Sequence, residues 1–213
     1  MIAGVVNCPQ PPLLLPGSTG CPVAEVEQLR AACLAALRDL LADQPTALLL
    51  VGAVAATDAG GLTEPVSIEI GRLLLAEAGC PVPIRPVSIG ADATPAECLA
   101  VGRQLAAADD EPDSGRRIGL LVMADGSARR GLKAPGYEDP RAVPFDRTVE
   151  AALTAADPDG LAALDATLAA ELLVAGRAPW QVLAGAAAGR RFAAETYYLG
   201  DPFGVWYPVV RWY

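Results

Sequence analysis

One loop of the chain concentrates side chains that could do chemistry. Its polar residues are Asp125, Ser127, Arg129, Arg130, Lys133 and Tyr137. The loop directly follows the apolar run IGLLVMA at residues 118–124, which predicts a buried strand. Open α/β sheets hold their ligands in polar loops at the carboxyl ends of the strands. We therefore expect a small-molecule site in this loop.

The basic residues of the loop indicate which ligands it suits. An arginine fork matches a carboxylate or phosphate, and a lysine supplies a point charge. Lys133 is the only lysine in the chain, and Tyr137 adds a phenol. These groups predict a small anionic or phenolic ligand. The alternative is that Asp125 caps a turn, that Arg129 and Arg130 pair with surface carboxylates, and that Lys133 is solvated.

Two further segments supply candidate ligand-binding residues. Asn7 and Gln10 lie in a loop that follows the first apolar run, and they reach the same pocket if the first and fourth strands are neighbours. The alternative for this segment is a proline-rich surface turn. Glu195, which precedes an aromatic tail, is either a carboxylate of the site or a solvated glutamate at a helix end.

Several classes of catalytic site are excluded by residue type. The chain contains no histidine, so a Ser-His-Asp triad and an imidazole metal ligand are both impossible. The glycine-rich phosphate-binding motifs and the G-x-S-x-G nucleophile motif are missing. Five cysteines without a C-x-x-C pair favour reduced, buried thiols over a metal site. The catalytic residues therefore stay unknown, and neither a metal site nor a cofactor is expected.

Composition bounds the remaining classes of function. The chain has 213 residues, of which 53% are hydrophobic, and a net charge of −9. That charge disfavours binding to nucleic acid and to anionic membranes. The apolar amino-terminal segment has no basic region, and no apolar run is long enough to span a bilayer. We expect one cytoplasmic domain, residues 1–213, and leave homo-oligomers open.

The hydrophobic pattern predicts the order of the elements. Strands are predicted at residues 1–6, 47–54, 82–89, 118–124 and 205–213, and the third of these is placed at a sheet edge by its two prolines. Helices are predicted at residues 23–42, 67–78, 95–108, 145–156, 161–175 and 179–188. This alternation favours an α/β fold with a twisted, mostly parallel or mixed sheet and helices on both faces.

The residues discussed above also carry a family resemblance. The segments Asn7-Cys8-Pro9, ADGSAR at residues 124–129 and YLGDPFGV at residues 198–205 resemble the LigB-like superfamily, and the resemblance covers most of the chain. This is the fold of the catalytic subunit of class III extradiol ring-cleaving dioxygenases and of their Memo-like relatives. GSARRGLKAPGY at residues 126–137 and AAELLVAGRAPWQVLAGAA at residues 169–187 resemble an uncharacterised, high-GC actinobacterial branch.

The resemblance implies ferrous iron held by three histidines and a glutamate. The three histidine positions fall near Asn7 or Cys8, at residues 55–58 and on Ala128, and none of them is histidine. Glu195 alone matches the carboxylate. We therefore expect a relative without iron-dependent ring cleavage, and hence not a dioxygenase, that binds a small ligand. The alternatives are an active ring-opening dioxygenase with an atypical metal site and a partner-binding scaffold with a vestigial pocket.

The resemblance and the polar loops together give one geometric expectation. Asn7, Asp125 and Arg129 are expected to line a single cleft at the carboxyl ends of adjacent strands.

Overall fold

Six strands form one sheet in a computed structural model that describes residues 1–18, 20–54, 64–108 and 115–213. The strands are β1 (Ile2–Cys8), β2 (Ala47–Val54), β3 (Ile84–Gly90), β4 (Ile118–Met123), β5 (Ala194–Gly200) and β6 (Tyr207–Trp212). Their order across the sheet is β3-β2-β4-β1-β6-β5. The strands from β3 to β1 are mutually parallel, whereas β6 and β5 are added antiparallel. The sheet is therefore mixed and mostly parallel.

Helices cover both faces of this sheet. They are α1 (Ala24–Ala42), α2 (Val66–Glu77), α3 (Pro95–Ala108), α4 (Ala142–Thr154), α5 (Pro158–Ala162), α6 (Ala166–Glu171) and α7 (Arg177–Ala187), with a short 3-10 helix η1 (Pro12–Leu14). Alternate residues of β4 point to opposite faces, as the pleat of a strand requires. Leu120 packs in the core under α4 and α7, and Leu121 packs in the core under α1 and α2. The predicted α/β class is confirmed.

Local sequence signals locate several elements correctly. Strand β2 has the predicted bounds, and β3, with its two prolines, lies at the sheet edge. Thr94 and Glu97 form the reciprocal capping hydrogen bonds that start α3. Gly79 has a φ of +77° and ends α2 by donating its backbone N–H to the Ala76 carbonyl.

The region after β4 differs from the prediction. The helix predicted at residues 161–175 is two short helices, α5 and α6, because Asp157 and Asp165 each accept backbone hydrogen bonds at a new helix start. Helix α4 begins at Ala142, earlier than predicted, and α7 begins two residues before Pro179. Strand β5 is absent from the prediction. Its side chains are half-buried or exposed, so the segment lacks the apolar run that marks the other strands.

Two segments fall outside the residues that the structure describes. They are residues 55–63 after β2, which include the histidine position that the resemblance places at residues 55–58, and residues 109–114 before β4. Within the described ranges, none of the helices combines the length and the apolar character that a membrane crossing requires.

Candidate functional site

A cleft of about 300 Å³ lies where the chain leaves β1 and β4 at their carboxyl ends. Its walls are mostly apolar and come from five separate segments of the chain. The described residues that line it are Pro11, Pro12, Leu13, Asp125, Gly126, Ala128, Pro135, Leu173, Ala175, Phe203, Val205 and Tyr207. Asp125 and Tyr207 supply the only titratable side chains of this described lining. The cleft has the apolar lining and the few polar groups typical of small-molecule sites.

Asp125 is the acidic group of the cleft, and its position is fixed from three sides. Ala124 donates its backbone N–H to the Cys8 carbonyl at 2.9 Å, which extends the pairing of β4 with β1 beyond the strand. Gly176 donates its backbone N–H to the Asp125 carbonyl at 2.9 Å. The Asp125 Oδ1 atom accepts the Gln10 backbone N–H at 2.6 Å. The carboxyl group is therefore held in one place by backbone groups, without a basic partner among the described residues.

Burial changes the acidity of this carboxyl group. Asp125 is only 8% exposed, and desolvation raises its pKa to about 7, although the hydrogen bond from Gln10 acts in the opposite direction. Its Oδ2 atom has no hydrogen-bonding partner among the described residues. Near neutral pH the group therefore exists both as a carboxylate and as a carboxylic acid, with one oxygen available to a molecule in the cleft.

Tyr207 places a phenol in the same cleft. The residue is the first of β6, which lies beside β1, and its side chain is buried. Desolvation, and secondly the negative charge of Asp125, raise the pKa of Tyr207 well above its usual value. Its hydroxyl has no hydrogen-bonding partner in the described part of the chain. Tyr207 thus stays protonated and has a hydrogen bond to donate.

Asn7 lies at the same end of the sheet, but it does not face the cleft. Its amide nitrogen donates to the Pro208 carbonyl at 2.8 Å, and its amide oxygen accepts the Trp180 indole N–H at 2.7 Å. Asn7 is buried, and these bonds join β1 to β6 and α7. This differs from the expectation that Asn7 contacts a ligand, because a buried amide must satisfy its polar atoms within the protein.

Ser127 also makes its hydrogen bonds inside the protein. Its backbone N–H and its hydroxyl donate to the two carboxylate oxygens of Asp146, at 2.9 Å and 2.6 Å. Asp146 belongs to α4 and is buried, and desolvation raises its pKa while the bonds from Ser127 lower it. Ser127 therefore anchors the loop to α4 and does not contribute a hydroxyl to the cleft.

The basic residues of the loop turn away from the cleft. Arg130 lies 3.1 Å from Asp201 and 3.8 Å from Asp146. Arg129 is half-buried, Lys133 is exposed, and neither of them is among the described residues that line the cleft. The loop folds back on itself through the hydrogen bond from the Gly136 N–H to the Ala128 carbonyl, and beyond Asp125 it contributes Gly126, Ala128 and Pro135 to the described lining.

The structure places the last two candidates away from the cleft. Tyr137 is 80% exposed on the outer side of the loop, with a φ of +59°. Glu195 lies in β5 and not at a helix end. Its carboxylate accepts a hydrogen bond from the Tyr197 hydroxyl at 2.9 Å, near Asp39 of α1. The structure thus brings Asp125 into a cleft but leaves the other eight candidate residues, Gln10 included, outside its described lining.

Residues 55–58 lie outside the described ranges, and at the other positions the donor set does not fit the ferrous iron implied by the resemblance. The Asn7 amide is fully engaged, Ala128 has no donor, and Glu195 is elsewhere. Burial and the neighbouring Cys33 raise the pKa of the Cys8 thiol, which disfavours the thiolate that a metal needs. In the described ranges no three Cys, Asp or Glu side chains are grouped to hold an ion.

Sequence reasoning missed two functional features of this site. The sequence favours a packing role for Tyr207, yet Tyr207 lines the cleft together with Phe203. Asp146, inside an amphipathic helix, gives no sign in the sequence of its contact with Ser127. In the sequence, the role of Tyr207 is indicated by its place at the start of the last predicted strand, where a side chain can face the loops of the cleft.

Comparisons with known proteins add little to this geometry. No family model matches the chain, and no curated protein matches it. Among solved structures, the chain is similar to the uncharacterized protein JW3007 from Escherichia coli K12, at 17% sequence identity and a TM-score of 0.49. The alignment covers 98% of this chain and 99% of that one.

Proposed function

We propose that the protein binds a small, neutral phenolic molecule in the cleft beside Asp125, without iron-dependent ring cleavage. The observation that carries the proposal is the pair of polar groups that remain without partners in an apolar cleft. One is Asp125 Oδ2 and the other is the Tyr207 hydroxyl. Two polar groups that line one apolar cleft without protein partners favour a ligand with complementary polar groups there.

A phenol complements both groups at once. Its hydroxyl donates a hydrogen bond to the Asp125 carboxylate, and its oxygen accepts one from Tyr207. The ring then packs against the apolar wall formed by Leu13, Phe203 and Val205. The cleft volume of about 300 Å³ is at the lower end of the range for small-molecule sites. A ligand with a single ring is therefore favoured.

A neutral ligand is favoured over an anionic one by the charges around the cleft. Arg130 lies against Asp146 and Asp201, and Lys133 is not in the lining. An anion would meet the carboxylate of Asp125 without a cation to offset the repulsion. The net charge of −9 acts in the same direction.

The proposal includes descent from a LigB-like ancestor, and it removes only the metal chemistry. A chain without histidine lacks the imidazole ligands on which a non-haem iron oxygenase depends. Purified protein reconstituted with ferrous iron is therefore expected to consume no oxygen with catechol. Stoichiometric iron binding together with oxygen uptake would replace this proposal with the ring-cleaving alternative.

Binding can be tested with three ligands that share an ethylphenyl group and carry a hydroxyl, a carboxylate or no polar group. We expect para-ethylphenol to bind more tightly than ethylbenzene and para-ethylbenzoate, as measured by ligand-observed proton NMR titration. Tyr207→Phe is expected to weaken para-ethylphenol binding about three- to tenfold, the value of one hydrogen bond. Tyr213→Phe, a change at an exposed tyrosine, serves as the control. Equal binding of the three ligands, or tighter binding of the benzoate, contradicts the proposal.

A further inference from the structure

The two polar groups of the cleft have opposite roles in proton transfer. Asp125 offers a carboxylate oxygen that no described residue occupies, and Tyr207 offers a hydroxyl hydrogen. Both line the same apolar cleft, and the negative charge of Asp125 acts directly on the Tyr207 phenol. A proton acceptor and a hydrogen-bond donor that line one apolar cleft are the two kinds of group that enolisation of a carbonyl compound requires.

We propose that the cleft catalyses reversible proton removal from the carbon next to the carbonyl of a small neutral aryl ketone, with Asp125 as the base and Tyr207 as the donor to the carbonyl oxygen. This inference rests on the proposed binding of phenols, because a phenol presents the same hydroxyl on an sp² carbon as the enol of a ketone. A cleft that binds a phenol therefore also stabilises the enol relative to the ketone.

The step conserves atoms and charge. Asp125 Oδ2 forms a bond to the proton as the C–H bond breaks, and the electron pair of that bond becomes the new carbon–carbon double bond. The carbonyl π electrons move onto the oxygen, which the Tyr207 hydroxyl stabilises with a hydrogen bond. One negative charge moves from the carboxylate to the enolate oxygen. The reverse step returns a hydrogen to the carbon, and in heavy water the returned atom is deuterium after the Asp125 proton has exchanged.

The surroundings of Asp125 suit this role. The Gln10 and Gly176 backbone N–H groups fix its side chain and its main chain, so the free oxygen needs little reorganisation when it takes a proton. The raised pKa of Asp125, about 7, matches a base that works near neutral pH. Tyr207, whose pKa is raised, keeps its proton under the same conditions.

The experiment follows exchange of the methyl protons of acetophenone, a neutral aryl ketone without a phenol, in heavy water by proton NMR, with the purified full chain. We expect the protein to accelerate the loss of this signal over buffer alone. Asp125→Asn keeps the shape of the side chain but cannot take the proton, so it is expected to lower the exchange rate by about a hundredfold or more. Tyr207→Phe is expected to lower it about tenfold or more, and Tyr213→Phe is expected to leave it unchanged.

The outcomes separate this inference from the binding proposal. Exchange that is absent, or equally fast in Asp125→Asn and the unmodified protein, overturns the inference, and the binding proposal stands if para-ethylphenol still binds. If para-ethylphenol does not bind and exchange is absent, both are overturned. A thermal melt of each variant checks the fold, and Tyr207→Phe provides an independent test if Asp125→Asn does not fold.

Discussion

Asp146 accepts two hydrogen bonds from Ser127, one from its backbone N–H at 2.9 Å and one from its hydroxyl at 2.6 Å. Both groups are buried. A helix side chain thereby fixes the start of the loop that follows Asp125, two residues beyond the carboxyl group of the cleft. The contact gives Ser127 a structural role in holding the cleft.

Removal of the Ser127 hydroxyl is expected to destabilise the fold. Ser127→Ala leaves Asp146 Oδ2 buried without its hydroxyl partner, and the loss of a hydrogen bond to a charged group costs about 1.5–3 kcal/mol. Urea denaturation of the variant measures this change in the free energy of unfolding. Ser88→Ala, at an exposed position of β3, is the matched control. A variant as stable as this control would show that the contact contributes nothing.

The carboxyl group of Asp125 is expected to make stability depend on pH. Burial raises its pKa from an ordinary value of 3.8 to about 7, so between these values the folded chain holds a proton that the unfolded chain has lost. The resulting stabilisation is complete below about pH 4 and is lost as the pH rises through 7. Relative to the wild type, Asp125→Asn should therefore gain stability between pH 4 and pH 8, on the order of a few kcal/mol.

Urea denaturation of the wild type and of Asp125→Asn across that pH range measures the difference. Glu138→Gln, which changes an exposed carboxylate outside the cleft, is expected to give a difference that changes far less with pH. A difference between Asp125→Asn and the wild type that stays constant from pH 4 to pH 8 would show that Asp125 titrates normally.

Gly204 is expected to tolerate a side chain much less well than Gly17. Both have positive φ values, +74° and +78°, so alanine is strained at either site. A Cβ atom at Gly204 would lie 2.6 Å from the Ala134 Cα atom, whereas at Gly17 no atom of the described residues lies within 4 Å. Gly17→Ala should cost about 1 kcal/mol, and Gly204→Ala should cost at least about 2 kcal/mol more. Equal losses in urea denaturation would contradict the close contact between the tail and the loop.

A bulky residue at the cleft is expected to block binding without loss of stability. Ala175 lines the cleft and is exposed, so the indole of Ala175→Trp can occupy the cleft without entering the core. We expect the para-ethylphenol signal in the NMR titration to be lost, with a change of less than about 0.5 kcal/mol in unfolding free energy. Ala170→Trp, at an exposed position of α6, should bind normally. Unchanged binding in Ala175→Trp would place the ligand elsewhere.

Removal of the loop cations is expected to leave phenol binding intact. Arg129 and Lys133 do not line the cleft, so replacing both with alanine should change the dissociation constant for para-ethylphenol by less than about twofold. The same titration measures this change. A dissociation constant raised tenfold or more would instead support the anion-binding site with Arg129 and Lys133 that the sequence favours.

The fold is largely predictable because burial leaves a mark in the sequence. Strand β4 is buried along its whole length, and its apolar run locates it correctly. Strand β5 escapes prediction because its alternate side chains meet solvent, and the split between α5 and α6 escapes it because Asp165 acts through local backbone bonds.

The site is less predictable, because the sequence contains residue types but not their directions. The loop from Asp125 lies at the carboxyl ends of the strands, as predicted. From the sequence, the arginines and the lysine of this loop favour an anionic ligand. In the fold, these side chains lie outside the described lining of the cleft. The Tyr207 phenol reaches the cleft from a strand that is distant in sequence, a contact that only the pairing of β6 with β1 creates.

The hydrogen bond from the Asn7 side chain to the Pro208 carbonyl has a consequence for biosynthesis. It closes a loop of 201 residues, and contacts of such long sequence separation form late and slowly. While the ribosome is still translating the middle of the chain, the edge of β1 that β6 covers stays open, and Tyr207 has not yet been made. The cleft is therefore not yet formed during the early steps of folding, and any molecule that binds in it can stabilise only the finished fold.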